Sequence, residues 1–221
     1  MKTTLEPRRD ALLLVDVQPD FMPGGALPVA EGDAVVAPIA ALCAGARFDT
    51  IVATQDWHPR GHVSFASSHG RRPYEVILLG ARQGEQTLWP DHCVQGTAGA
   101  ALHAGLPLER VSLILRKGTR REVDSYSGFR ENLDPEGRRA PTGLAGWLRE
   151  RGIGRVFVCG LARDFCVRWT AEDAARAGFE AVVLDDLTRS VFPDRAGETT
   201  AALEQAGVRV ARAADLAREN G

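Results

Sequence analysis

The chain has 221 residues, of which 44% are hydrophobic, 25% charged and 6% aromatic. Those proportions exclude a disordered, collagen-like or coiled-coil protein and fit one α/β domain over residues 1–221. With 27 basic against 29 acidic side chains the formal net charge is −2, so no basic surplus recommends nucleic acid as a partner.

No apolar run approaches the roughly 18–20 residues that cross a bilayer, and the opening stretch MKTTLEPRRD lacks the apolar region of a signal peptide. A cytoplasmic protein with no membrane partner is the expectation, with monomer and homo-oligomer both left open. Cys43, Cys93, Cys159 and Cys166 are too few and too scattered for a disulfide framework, and no CxxC pair occurs. Cysteine chemistry therefore falls to a single thiol.

Taken in chain order, the first apolar run is ALLLV (11–15), and a helical pattern follows over 33–44, where Val35, Val36, Ile39, Ala40 and Leu42 share one face. TIVAT (50–54) is the second run. Residues 57–100 then break the rhythm: they are rich in Gly, Pro, His and Ser, contain the short run YEVILL (74–79), and hold His58, His62, His69 and His92. A long irregular stretch in a compact domain points to function, and a metal-binding or lid role is expected of it. VSLILR (111–116) is followed by a polar stretch over 118–140 and a helical pattern over 142–151. RVFVCG (155–160), a helix over 165–177, EAVVLD (180–185), a helix over 196–206 and the weaker VRVA (208–211) complete the chain. Gly152, Gly178 and Gly207 stand where three of these helices should stop. Continuous apolar runs alternating with helices predict a parallel sheet covered on both faces.

Ligands of such sheets bind beyond the carboxyl ends of the strands. Asp16 follows the first run, Asp56 lies just past the second, Lys117 follows the third, and Cys166 lies six residues beyond Gly160 at a helix start. A helix N-terminus and a nearby ammonium favour thiolate, and a carboxylate can take the thiol proton. Taken alone, Cys166 fits a small core residue better than a nucleophile. Asp56 and His58, two apart in an extended segment, project to one side and can share an ion. His92 and His62 compete for a third place, with His92 favoured, and such a donor set suits Zn²⁺, Fe²⁺ or Mn²⁺. Cys43 and Cys159 read as core, His69 and His103 as packing or solvent residues, and Cys93 as packing. No G-x-G-x-x-G follows the first run, which disfavours a dinucleotide-binding domain.

The segments DVQPDF (16–21), TQDWHPRGHVSFA (54–66), LWPDHCVQGT (88–97), RKG (116–118), DSYSGF (124–129) and GLARDFCVRWTAEDA (160–174) occur in that order. Together they closely resemble bacterial nicotinamidases, cysteine hydrolases with the isochorismatase-like fold, over about residues 11 to 215. The resemblance implies a three-layer α/β/α, Rossmann-like domain with a mainly parallel six-stranded sheet. It implies a catalytic triad of Asp16, Lys117 and Cys166, and an oxyanion hole from the amides of Ala162 and Cys166 behind a cis Leu161–Ala162 peptide. Asp56, His58 and His92 would hold the metal, with His62 as a further ligand or a partner behind them. Phe21 and Trp89 would sandwich the substrate ring, with Tyr126 as a further pocket residue.

The implied activity is deamidation of nicotinamide to nicotinate and ammonia through a Cys166 thioester, serving NAD salvage, with pyrazinamide as a second substrate. One ion, Zn²⁺ or Fe²⁺ ahead of Mn²⁺, is implied. The alternatives are another small-amide or carbamoyl amidohydrolase of this fold, or a non-catalytic metal-binding protein. Isochorismatases are expected to lack the cysteine, and carbamoylsarcosine-type amidases the Asp-x-His pair. One position departs from the family pattern: Arg163 replaces a threonine or another small residue, which bears on helix capping or a subunit contact.

Overall fold

Apolar residues run almost uninterrupted through the central strands because both of their faces are covered, while the edge strands stay partly exposed. The computed structural model describes residues 3–45 and 48–218. Its strands are β1 (Thr3–Leu5), β2 (Asp10–Val15), β3 (Thr50–Asp56), β4 (Val76–Gly80), β5 (Gly84–Thr87), β6 (Leu113–Lys117), β7 (Arg155–Leu161), β8 (Glu180–Arg189), β9 (Arg209–Ala211) and β10 (Leu216–Arg218). The helices are α1 (Val36–Ala44), α2 (Leu144–Arg149), α3 (Arg168–Arg176) and α4 (Ala196–Gln205).

Six strands form one sheet in the order β6-β3-β2-β7-β8-β9, with every pairing parallel. These are the six apolar runs of the sequence. The chain winds outward from β2 to β3 and β6, then returns beside β2 with β7 and continues to β8 and β9. The winding therefore reverses at β2 and β7, and a crevice opens beyond their carboxyl ends.

Alternation along the strands distributes the core. Leu12, Leu14, Ile51, Ala53, Phe157 and Cys159 pack with Ile39, Leu42 and Cys43 of α1 on one face. Leu13, Val15, Val52, Val156 and Val158 pack with Leu144 and Leu148 of α2, Ala171 and Ala174 of α3 and Leu203 of α4 on the other. Each fully buried leucine or valine contributes about 1.5–3 kcal/mol of transfer free energy, which makes a slipped register costly. This is the three-layer α/β/α arrangement that the alternation predicted.

Four local features depart from the sequence reading. The helix expected from 33 begins as a 3-10 turn, Gly32–Val35, before α1. The helix expected from 165 is preceded by a π-helical turn, Arg163–Val167, and α3 itself starts at Arg168. The run YEVILL contributes β4, which pairs antiparallel with β5 outside the main sheet. β1 and β10 form a separate parallel pair that no pattern announced. Gly152, Gly178 and Gly207 follow α2, α3 and α4 with positive φ, as expected of stop signals.

Among the described residues no helix is long and apolar enough to cross a membrane.

Candidate active site

Four neighbouring strands deliver the chemistry. Asp16 follows β2, Asp56 ends β3, Lys117 ends β6, and Cys166 lies in the turn after β7. All four side chains are buried, although three are ionisable carboxyl or ammonium groups. Asp16 adopts a left-handed φ of 47°, unusual outside glycine, where β2 stops. Thr54 fixes its side chain by donating from Oγ1 to Oδ1 at 2.6 Å, and accepts from the Asp16 amide at 3.2 Å.

Lys117 is the hub. Its Nζ lies 2.8 Å from Asp16 Oδ2 and 2.5 Å from Asp56 Oδ1, and it donates to the Ser125 carbonyl at 2.8 Å and Cys166 Sγ at 3.4 Å. Burial disfavours the ammonium, but Asp16 and Asp56 outweigh burial and hold its pKa well above the usual lysine range. Asp16 is pushed up to about 6, chiefly by burial, against the pull of Lys117. Asp56 is held far below the ordinary carboxylate range: burial opposes ionisation, and Lys117 with the nearby imidazoles overcomes it.

Cys166 shows where the sequence reading needs correction. Proximity to a helix start and to Lys117 predicted a stabilised thiolate. Burial instead pushes the thiol pKa well above normal despite Lys117, and Sγ lies within 4.8 Å of an Asp16 carboxylate oxygen. A carboxylate able to take the thiol proton therefore stands beside the sulfur.

The turn around Cys166 depends on one close approach. Gly160 has φ +110°, and a Cβ there would overlap the Val15 carbonyl, so only glycine lets β7 pass β2 at this point. The Leu161–Ala162 peptide that follows is cis. The Ala162 carbonyl then accepts from the amides of Phe165 and Val167, both at 3.1 Å, closing the turn that contains Cys166.

The irregular segment is stitched to this framework by backbone bonds. His58 donates from its amide to Cys93 O at 2.9 Å and accepts from Gln95 N at 2.9 Å. Ala66 N bonds Trp89 O, and Trp89 N bonds Ser64 O, both at 2.8 Å. Gln18 clamps the end of β3, donating to Asp56 O at 2.9 Å and accepting from Asp56 N at 2.8 Å. Cys93 is buried and its sulfur accepts from Gln18, so it packs behind the pocket.

Asp56, His58 and His92 offer ligand atoms that all lie within 4.8 Å of one another. Asp56 Oδ2 is 3.6 Å from His58 Nε2 and 3.9 Å from His92 Nε2. The far nitrogen of each ring is committed: His58 Nδ1 bonds Gly118 O at 2.9 Å, and His92 Nδ1 bonds Pro90 O at 2.8 Å. Donation to those carbonyls fixes each tautomer and leaves two Nε2 lone pairs facing a carboxylate. Acceptors gathered on acceptors are repulsive without a cation, and this donor set fits a divalent metal ion.

Two neighbouring clusters are also close enough to share an ion, His58–His62–Asp124 and Asp16–Asp56–Cys166. Lys117 already fills the second. In the first, His62 bonds Ser64 Oγ through Nδ1 at 2.8 Å and Val123 O through Nε2 at 3.1 Å, so neither ring nitrogen is free. His62 instead stacks on His58, ring centroids 4.1 Å apart, and burial pulls its pKa down to about 4.

A pocket opens onto both sets. Phe21, Trp89 and Tyr126 line it with Asp56, His58, His92, Ala162 and Cys166, joined by Leu27, Asp124, Phe165 and Val191. Trp89 Nε1 donates to the Tyr126 hydroxyl at 3.2 Å, and Phe165 meets Trp89 edge-on at 4.8 Å. Asp124, Phe165, Leu27 and Val191 were not singled out from sequence. Asp124 and Phe165 lie inside the quoted motifs DSYSGF and GLARDFCVRW, which was the available signal; Leu27 and Val191 had none. A wider surface groove lined by Phe129, Arg139 and Arg176 lies elsewhere and contains no candidate residue.

Comparison with known proteins gives a consistent answer. The model of the isochorismatase domain matches residues 10–215. The nicotinamidase of Acinetobacter baylyi is 51% identical over 182 residues, covering 82% of this chain and 81% of that protein. A nicotinamidase/pyrazinamidase structure from Acinetobacter baumannii superposes with a TM-score of 0.87 at 42% identity, covering 95% of this chain and 99% of the other. The pyrazinamidase of Pyrococcus horikoshii in complex with zinc gives a TM-score of 0.74 at 36% identity, covering 92% and 99%. Family model, sequence identity and overall superposition agree, and the chain belongs to the isochorismatase family.

Proposed function

We propose that this protein is a nicotinamidase that hydrolyses nicotinamide to nicotinate and ammonia, with pyrazinamide as a second substrate. The observation that carries the reading is that a buried Asp16–Lys117–Cys166 cluster and a buried Asp56–His58–His92 cluster line one aromatic-walled pocket. The names and overall match of the relatives support the substrate class.

Asp16, Lys117 and Cys166 are the catalytic residues of this reading. With the carboxamide beside Cys166, Asp16 takes the thiol proton as Sγ adds to the carbonyl carbon. Positioning makes that attack intramolecular in effect. The amides of Ala162 and Cys166 hold the developing oxyanion. Lys117 keeps Asp16 and Asp56 in place and offsets the charge gathered around the sulfur. Asp16 returns the proton to the amide nitrogen, ammonia leaves, and water adds to the Cys166 thioester to release the carboxylate.

Phe21 and Trp89 flank the ring, with Tyr126 and Phe165 closing the wall. Asp56, His58 and His92 would hold one divalent ion, Zn²⁺ or Fe²⁺ ahead of Mn²⁺, with His62 supporting His58 from behind. Bound there, the ion supplies a Lewis-acidic anchor for a heteroaromatic nitrogen. Residues 57–100 serve as the metal-binding segment of a single catalytic domain. Free thiols at all four cysteines suit a cytoplasmic enzyme of NAD salvage.

The test is ammonia release from nicotinamide by purified protein before and after chelation, with metal analysis of the same sample. Chelator-sensitive release with about one metal per chain is the expected result. No release by folded, metal-loaded protein would overturn the substrate, and carbamoyl compounds would then be tried.

A further inference from the structure

The turn that carries Cys166 is fastened by two consecutive charged residues that reach out of the pocket on opposite errands. Arg163 is 6% exposed. Its Nε donates to Asp185 Oδ1 at 2.6 Å, Nη1 to the Ala196 carbonyl at 3.2 Å and Nη2 to Thr200 Oγ1 at 2.9 Å. One guanidinium thus joins the turn to both β8 and α4. Asp164 accepts from the amides of Val191 at 3.0 Å and Phe192 at 2.8 Å, and Val191 lines the pocket.

The site that receives Arg163 is a specific interruption of the sheet. Val158 pairs with Val183, but Gly160 pairs with Thr188, so residues 184–187 of β8 bulge opposite Cys159. Thr188 Oγ1 donates to the Asp185 carbonyl at 2.8 Å and closes that bulge. Bulges beside active sites re-aim side chains, and this one presents Asp185 to the turn.

We propose that Arg163 is a positioning residue for the oxyanion turn. The inference rests on the amidohydrolase reading above. Ala162 and Cys166 flank Arg163 and Asp164, and the alignment of their amides on the substrate carbonyl depends on where those two side chains are anchored. A π-helical turn has one wide hydrogen-bonded loop and little rigidity of its own. The planar guanidinium supplies the rigidity by holding three acceptors at fixed angles, which a lysine cannot reproduce.

The test uses the full-length, metal-loaded protein and the variants Arg163→Met, Arg163→Lys and Asp185→Asn, with metal content measured in each. Arg163→Met should lower kcat by about ten- to a hundredfold while KM for nicotinamide stays within about twofold. Pyridine-3-carbaldehyde separates the turn from the pocket. It adds to Cys166 by forming an Sγ–C bond as the thiol proton passes through Asp16 to the carbonyl oxygen, which comes to rest against the turn amides. Affinity for the aldehyde should fall in parallel with kcat, and affinity for nicotinate, which forms no adduct, should not change. Arg163→Lys should restore little of the loss.

Asp185 is 46% exposed at its side chain, so Asp185→Asn will fold even if Arg163→Met does not, and it should show the same split at smaller size. Wild-type kcat in the variants, or equal losses of aldehyde and nicotinate affinity, would overturn the positioning role. A wild-type protein that releases no ammonia from nicotinamide would instead overturn the reading beneath it.

Discussion

Two buried aspartates bracket β2, and each meets a cation, yet they behave differently. Asp10 begins the strand and Asp16 follows it. At Asp10, Arg155 donates from Nε to Oδ1 at 2.8 Å and from Nη2 to Oδ2 at 2.6 Å, and the Glu6 amide reaches Oδ2 at 2.7 Å. The guanidinium grips this one carboxylate with two bonds, donates to Thr4 O at 2.8 Å, and has only the half-exposed Glu180 as a second, looser anion at 3.7 Å. At Asp16, one ammonium serves two carboxylates and a thiol. A matched, bidentate pair has nothing left to exchange. At Asp16 burial outweighs the pull of the shared ammonium, with Asp56 adding to the upward push, and the carboxyl is raised to about 6. The lower end of the strand fastens the chain; the upper end is arranged to move a proton.

The most severe way to probe the upper end is to remove the proton donor itself. Cys166→Ala should cut ammonia release by about 10⁴-fold or more while metal content and melting temperature stay close to wild type, because only the sulfur is removed and none of the metal-facing side chains changes. A variant that keeps wild-type turnover would rule out a covalent mechanism. His58→Ala comes next. It removes one Nε2 lone pair facing Asp56, and should both empty the metal site on dialysis and raise KM for nicotinamide. Metal analysis and steady-state kinetics on one preparation check it, and full occupancy with an unchanged KM would contradict the ligand assignment.

How much of this contrast could be read from sequence depends on the range of each interaction. Six apolar runs became the six sheet strands because burial in a covered sheet demands that composition locally, on both faces at β2, β3 and β7 and only in part at the edges β6 and β9. Asp16, Asp56 and Lys117 were visible because each stands directly at a strand end. The matched pair of Asp10 and Arg155 was not, since its partners are 145 residues apart and become neighbours only through the register of β2 on β7. The same holds for Arg163 and Asp185, which meet through a bulge that a continuous run such as EAVVLD conceals. The upward push on the Cys166 thiol was not foreseen because sequence shows the charged neighbours of a thiol but not how deeply it is buried. The closing of His62 to a metal depends on Val123 O, a backbone carbonyl that carries no sequence signal.

A gentler probe leaves every charge at the upper end in place. Gly118 follows Lys117 with φ +61°, and a Cβ there would overlap the His58 ring whose Nδ1 bonds the Gly118 carbonyl. Gly118→Ala should therefore tilt His58 and weaken metal retention by about 10- to 100-fold, the range for disturbing a ligand's outer partner. The Asp16–Lys117–Cys166 cluster is untouched by that substitution, so excess metal should restore most of the activity. Loss of turnover that added metal cannot restore would show that Gly118 supports the triad instead of the ligand.

The smallest effect on activity, and the sharpest on the comparison, belongs to Arg155→Met. It strands Asp10, a fully buried carboxylate, without its cation. Breaking such a pair costs about 3–5 kcal/mol, somewhat less here because the Arg155 side chain retains 11% exposure to solvent. The melting temperature should fall by several degrees or more. Turnover per folded molecule, measured well below the transition, should equal wild type, since Asp10 and Asp16 are separated by the length of β2 and share no partner. Adding Asp10→Asn should recover part of the lost stability by removing the stranded charge, again without altering kcat. If Arg155→Met slowed turnover in protein that circular dichroism shows to be folded, the two ends of β2 would be coupled, and the division between a fastening pair and a working one would not hold.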